Sequence, residues 1–153
     1  MKKSKFVYVI YIRTTPKKLW RALTDPKFVR QYFYGAVHES DWKAGASWRL
    51  KVPDGRVADG GEVLEIEPGR KLVLKWRHEL MPEMRAEGYS RMTWEIEESG
   101  SSLKLTIIHE MKRADSKLID AVSEGWPSIL SSLKSLLETG ESLEETRKWP
   151  GEL

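Results

Sequence analysis

The 153-residue chain contains no cysteine. Disulfides, thiolate nucleophiles and cysteine-bound metal are therefore excluded, and a reducing, cytoplasmic setting is the expectation. No apolar run is long enough to span a bilayer, and the start, MKKSKFVYVIYIR, lacks a signal-peptide cleavage region. Neither sign of charge dominates: 26 Lys and Arg stand against 23 Asp and Glu, a net charge of +3. So mild and mixed a balance is not a nucleic-acid footprint. There is no glycine-rich phosphate loop, because DGGEV lacks the lysine and the glycine spacing of one, so no ATPase motif is present. Histidine is scarce. His38, His78 and His109 include no pair at helical spacing with an acid between them, and neither a metal nor a cofactor is expected.

Against these absences stand seven tryptophans. Each brings a large flat apolar surface with one polar N–H. The length suits one domain, and a chain of this size buries roughly 70% of its unfolded surface. The organising stretch is Asp115 to Gly140. Leu118, Val122, Trp126, Ile129, Leu133, Leu136 and Leu137 recur there in steps of three and four, the stripe of an amphipathic helix. Asp115 or Ser116 can cap its start and Gly140 can end it in a left-handed turn. Pro127 removes the bond to the Ser123 carbonyl and predicts a kink near Gly125 and Trp126.

Ahead of that helix the pattern changes twice. Phe6 to Ile12 alternates poorly but is rich in β-branched and aromatic residues, and reads as a strand. Thr14 or Thr15 with Pro16, then Thr24-Asp25 with Pro26, open two short helices closed by Gly35. Residues 36–46 form a loop or an edge strand. Strands with turns between them follow. SWRLKV places Trp48, Leu50 and Val52 on one face; GGEVLEIEP places Leu64 and Ile66 together, with Glu62 in phase and a bulge or bend at Gly60-Gly61. KLVLKWRHE aligns Leu72, Leu74, Trp76 and His78. YSRMTWEIEES aligns Ser90, Met92, Trp94 and Ile96, and LKLTIIHE aligns Leu103, Leu105, Ile107 and His109. Residues 80–88 are an ambiguous polar connection. The fold class is α+β: a curved antiparallel sheet of a first strand plus five or so more, two short helices, and one long C-terminal helix as the cover. Residues 1–140 form one domain, and 141–153 a polar tail with no apolar face, loosely attached. A curved sheet wrapped on one helix leaves a wedge where a ligand can enter.

Several stretches carry a family resemblance: TTPKKLWRALTDP (14–26), QYF (31–33), DGGEVLEIEPGRKLVLKW (59–76), His109-Glu110, and above all GWPSILSSLKSLLETG (125–140). Over residues 6–140 the chain resembles the family named after the activator of the heat-shock-chaperone ATPase, within the START-like (SRPBCC) superfamily. The resemblance implies a helix-grip fold. It also implies three function classes: a carrier of hydrophobic small molecules, a co-chaperone with a heat-shock chaperone as partner, or a cyclase- or hydrolase-type enzyme.

The residues weigh these classes unequally. Trp48, Trp76, Met92, Trp94 and Trp126, with Ile129 and Leu133 on the helix stripe, share the inward side. They are either plain core or the aromatic wall of a pocket for a hydrophobic or aromatic small molecule. His78 and His109 lie in phase with that face at strand ends. Each is a hydrogen-bonded rim histidine, a polar anchor, or an acid–base group. No serine or carboxylate is predictable beside either, so a catalytic triad is not supported. Basic and aromatic residues interleave in WRLK and KWRH, but strand alternation sends them to opposite faces, which argues against nucleic acid. Trp42, Trp149 and the edge strand near Phe6–Ile12 are the exposed surface from which a homodimer would be built.

Overall fold

Thr15 opens the first helix as the spacing predicts. Its hydroxyl accepts the Lys18 N–H at 3.2 Å, and Pro16 takes the first helical position, where no N–H is needed. This helix, α1 (Pro16–Thr24), runs into α2 (Pro26–Tyr32) through Asp25, whose carboxylate caps the second start at Lys27 N–H. The computed structural model describes residues 4–150. Within them β1 (Ser4–Ile12) precedes the helix pair, and β2 (Val37–Ser40), β3 (Ser47–Lys51), β4 (Val57–Glu67), β5 (Lys71–His78), β6 (Ser90–Ser99) and β7 (Ser102–Met111) follow it. The ambiguous connection contains a one-turn helix, α3 (Pro82–Ala86), and the long helix is α4 (Lys117–Thr139).

All strands join one antiparallel sheet in the order β1-β7-β6-β5-β4-β3-β2. The sheet has one strand more than the pattern led us to expect, because part of residues 36–46 pairs with β3 as the edge strand β2. In β1 the alternation is clean in space: Phe6, Tyr8 and Ile10 pack on the core while Val7, Val9 and Tyr11 are exposed. Apolar residues on both faces hid that period in the sequence.

The bulge expected at Gly60-Gly61 lies elsewhere. Register shifts at Leu64, between the Val63–Leu74 and Glu65–Val73 pairs, and again near Ala58 where β3 meets β4. The shift turns Val63 into the core and leaves Glu62, expected in phase with Leu64 and Ile66, exposed. The double glycine answers a different need. A Cβ on Gly61 would stand 1.8 Å from the Lys75 carbonyl oxygen and 3.3 Å from the Trp48 indole nitrogen. The Trp48 N–H donates to that same carbonyl at 2.9 Å, directly across the glycine.

Helix α4 is continuous through Pro127 and buries Leu118, Trp126, Ile129, Leu130, Leu133 and Leu136 against the sheet and the α1–α2 pair. Ser116 rather than Asp115 is its cap: Ser116 Oγ accepts the Ile119 N–H at 3.1 Å, and Gly140 closes the far end with φ of 89°. A second group secures the start. The Glu87 carboxylate, just past α3, accepts from Ser116 Oγ at 2.7 Å, Lys117 N–H at 2.8 Å and Leu118 N–H at 3.4 Å. Burial pushes its pKa up, but these hydrogen bonds prevail and hold it below the usual carboxylate range. Glu87→Ala is expected to cost about 1–2 kcal/mol in urea unfolding at neutral pH, the worth of a charged helix cap. The deficit should shrink as acid protonates Glu87 in the parent protein.

The tail beyond Gly140 is not loosely attached over its described part. Ser132 Oγ, buried on α4, accepts from Leu143 N–H at 2.9 Å and from Thr146 Oγ1 at 2.6 Å, and the Thr146 carbonyl accepts from Tyr34 N–H at 2.7 Å. Trp149 then packs on the core. The anchors are two hydroxyls and one indole, which no apolar period announces.

Candidate functional site

A cavity of about 340 Å³ lies between the sheet and α4, at the end where β4 and β5 approach α3. Trp76 and His78 of β5, Asp59 of β4 and Leu50 of β3 form its sheet wall. Leu118, Val122, Trp126 and Ile129 of α4 form the opposite wall, with Ala121 and Gly125 as small residues between them. Phe33 and Tyr34 after α2, Met81 and Met84 around α3, and Trp149 of the tail complete it. Gly125 is why the helix side is open: a Cβ there would meet nothing within 4 Å. A wider depression of about 530 Å³ by Arg30, Gln31 and Ser142 is lined by charged and polar groups without an aromatic wall, and one of about 460 Å³ on the other side of the sheet has Tyr89 as its single aromatic residue, beside Lys75, Arg91, Glu110 and Lys112.

Of the nine residues singled out from sequence, Trp76, His78, Trp126 and Ile129 line this cavity. Trp48, Met92, Trp94, His109 and Leu133 lie in the packed core around it. Trp76 and Trp126 meet edge to face at 5.8 Å, Trp94 meets Trp126 at 5.5 Å, and Trp48 tilts against Trp76 at 4.6 Å. Trp42 and Trp149, expected to be exposed, are both half-buried against this core.

The two strand-end histidines differ sharply. His109 is fully buried. The Trp126 indole N–H donates to its Nδ1 at 3.3 Å, so its own proton sits on Nε2 and points to Ser90 Oγ at 2.8 Å; Ser90 in turn donates to the Trp76 carbonyl at 2.9 Å. Both ring nitrogens are used, and the chain of bonds ties α4 to the sheet. Burial pushes the pKa of His109 down to about 3, which keeps the ring neutral.

His78 has a partner that sequence reasoning missed. Asp59 faces it across the β4–β5 ladder, with Nδ1 of His78 3.0 Å from Oδ1 of Asp59. The same oxygen accepts the Trp76 indole N–H at 2.9 Å. Burial pushes the Asp59 carboxyl up, opposed by its hydrogen bonds to His78 and Trp76. With Asp59 ionised and the ring neutral, the imidazole proton lies on Nδ1 and Nε2 carries a bare lone pair. That nitrogen is shielded from water and has no hydrogen-bond partner among the described residues. Among them, too, no three His, Asp or Glu side chains converge as a metal site would require.

Residues 13–138 match the family model described as Activator of Hsp90 ATPase homolog 1-like protein. The chain belongs to this family. No curated protein matches it. Solved structures with the same helix-grip, START-like fold as this Hsp90-activator-like chain include protein MLL2253 from Mesorhizobium loti, at 24% identity and a TM-score of 0.75, covering 88% of this chain and 96% of that one. CalU16 from Micromonospora echinospora aligns at 21% identity and a TM-score of 0.72, over 93% of this chain and 78% of its own. An Aha1 dimer from Colwellia psychrerythraea aligns at 18% identity and a TM-score of 0.69, over 90% and 98%. At such identities the likeness is one of fold. Among the described residues no helix of the chain is long and apolar enough to cross a membrane.

Proposed function

We propose that this member of the Hsp90-activator-like family binds a hydrophobic or aromatic small molecule in the cavity between sheet and α4. The observation that carries the reading is the cavity itself, about 340 Å³ walled by Phe33, Trp76 and Trp126 with one polar pair, His78 and Asp59, in its sheet wall. That volume lies in the range of small-ligand sites, and an apolar wall with few placed polar groups is their usual make-up. The rival co-chaperone reading rests on the family's name. The charges it would draw on are partly engaged with one another on the outer face, where Glu65 meets both Lys71 and Arg91.

The test uses the open space at Gly125. Titration of the protein with 2-methoxynaphthalene should quench tryptophan fluorescence saturably, because Trp76 and Trp126 form the walls. Gly125→Leu should fill the void and weaken that binding at least about tenfold. The same variant should unfold at a higher urea concentration, since a helix-interior glycine costs roughly 0.5–1 kcal/mol relative to a side chain that fits. Unaltered binding in a folded Gly125→Leu variant would remove the cavity as the site.

A further inference from the structure

We propose that the cavity selects aromatic molecules bearing a hydroxyl donor, the phenol class, and that His78 Nε2 is the atom that receives this donor. The inference rests on the cavity reading above and adds the chemistry of its one polar contact. Three observations carry it. First, Asp59 occupies His78 Nδ1 at 3.0 Å and leaves Nε2 as an acceptor. Second, Nε2 has no partner among the described residues although water scarcely reaches it. A shielded acceptor without a donor is unfavourable, so a ligand that supplies one gains more than the same contact would give in water. Third, the walls beside the pair are aromatic, which favours a ring behind the hydroxyl.

The neighbouring charges sharpen the choice. Glu79, the next residue, is engaged by Arg77 at 2.8 Å and Arg85 at 2.8 Å, so these two cations have a carboxylate of their own, and neither lines the cavity. Inside, Asp59 and the imidazole present a carboxylate and a lone pair, both hostile to an anionic ligand head. A neutral hydroxyl is the head group that fits. The side chains of Met81 and Met84, which line the same cavity, are the unbranched, adaptable walls that would shift to let the ring reach Nε2. No bond to carbon is made or broken; the hydroxyl hydrogen is shared with Nε2 and Asp59 balances the charge this draws onto the ring.

The probe pair is 2-naphthol and 2-methoxynaphthalene, identical in their rings and different in the donor. Wild-type protein should bind 2-naphthol about tenfold more tightly by calorimetry or tryptophan quenching, the worth of one satisfied buried acceptor. His78→Phe should bring the two affinities together, whatever it does to their common level. A measurement that needs no variant is nitrogen-15 NMR of wild-type protein labelled at histidine. The His78 Nε2 resonance should move upfield on adding 2-naphthol and stay in place on adding 2-methoxynaphthalene. Equal affinities in wild type, a preference that survives in His78→Phe, or a still Nε2 resonance would each overturn the role of His78 and leave the cavity reading standing. Binding of neither probe to wild type would overturn both.

Discussion

Gly61→Ala is expected to destabilise the protein by about 3 kcal/mol or more, a large effect for one methyl group. The added Cβ would lie 1.8 Å from the Lys75 carbonyl oxygen, where real Cβ atoms essentially never come nearer than 3.0 Å. That oxygen belongs to backbone in the middle of β5, so it cannot swing aside as a flexible side chain would. Relief requires the β4–β5 ladder to spread or the carbonyl to turn. Either movement disturbs the bond at 2.9 Å from the Trp48 indole, whose ring is fully buried and packed on Trp76. Overpacking in a rigid interior ordinarily costs 1–3 kcal/mol, and a backbone collision belongs at or above the top of that range. For a chain of this size that means a melting point lower by roughly 10 °C. Urea unfolding with an unchanged slope would check it, and the Trp48 indole N–H resonance should move at the same time. A loss below about 1 kcal/mol would mean that the approach of strand and indole is looser than the distances imply.

Gly61 also marks where the sequence could and could not be read. The paired glycines signalled an irregularity, and one exists, but the bulge is at Leu64 and the glycine serves close approach. That offset of one residue hid the candidate site. Counting back from the turn at Glu67 and Lys71 with an unbroken ladder sets Gly60 opposite His78; the bulge sets Asp59 there instead. Hairpin turns and helix caps are local chemistry, so Thr15, Asp25 and Gly140 were legible from neighbouring residues alone. A bulge is decided by packing on both faces of two strands, and no period in one strand records it. The inward indoles were legible by alternation. Which of them face a void and which face one another was not, because that depends on Gly125 and Ala121 across the seam on another element. The tail was misread for a similar reason. Its docking is written into Ser132 on α4 and Thr146, two hydroxyls that look like solvent-facing residues until they meet.

Acid should unfold this protein from the histidines before the carboxylates. His38 is buried among Phe33, Trp42 and Trp48, and its Nδ1 has no partner among the described residues. Burial pushes its pKa down to about 4, as it pushes His109 down to about 3. In the unfolded chain both return to near 6.5. Between those values the unfolded state binds protons that the folded state refuses, so stability rises with pH there and falls as pH drops below about 6.5. By pH 4 the loss is about 3 kcal/mol for each of His38 and His109, and below pH 3 it reaches about 5 kcal/mol for His109, together comparable to the whole stability of an ordinary domain. Carboxylates held low by hydrogen bonds, Glu87 and Glu138 among them, add their loss only as pH falls below the ordinary carboxylate range. Asp59 works the other way, since burial raises its pKa and the folded state takes up its proton first, offsetting part of the fall. The fall from pH 6.5 down to about 5 therefore comes from the two histidines, less what Asp59 returns. Free energies from urea unfolding should decline there by up to about 2.7 kcal/mol per pH unit, the slope of two protons. His38→Phe replaces an unpaired buried nitrogen with an apolar ring among aromatic neighbours. It should cost little at pH 7 and halve that slope. A stability flat from pH 6.5 to 5, or a slope untouched in His38→Phe, would mean that water or a rearranged ring admits the proton these walls exclude.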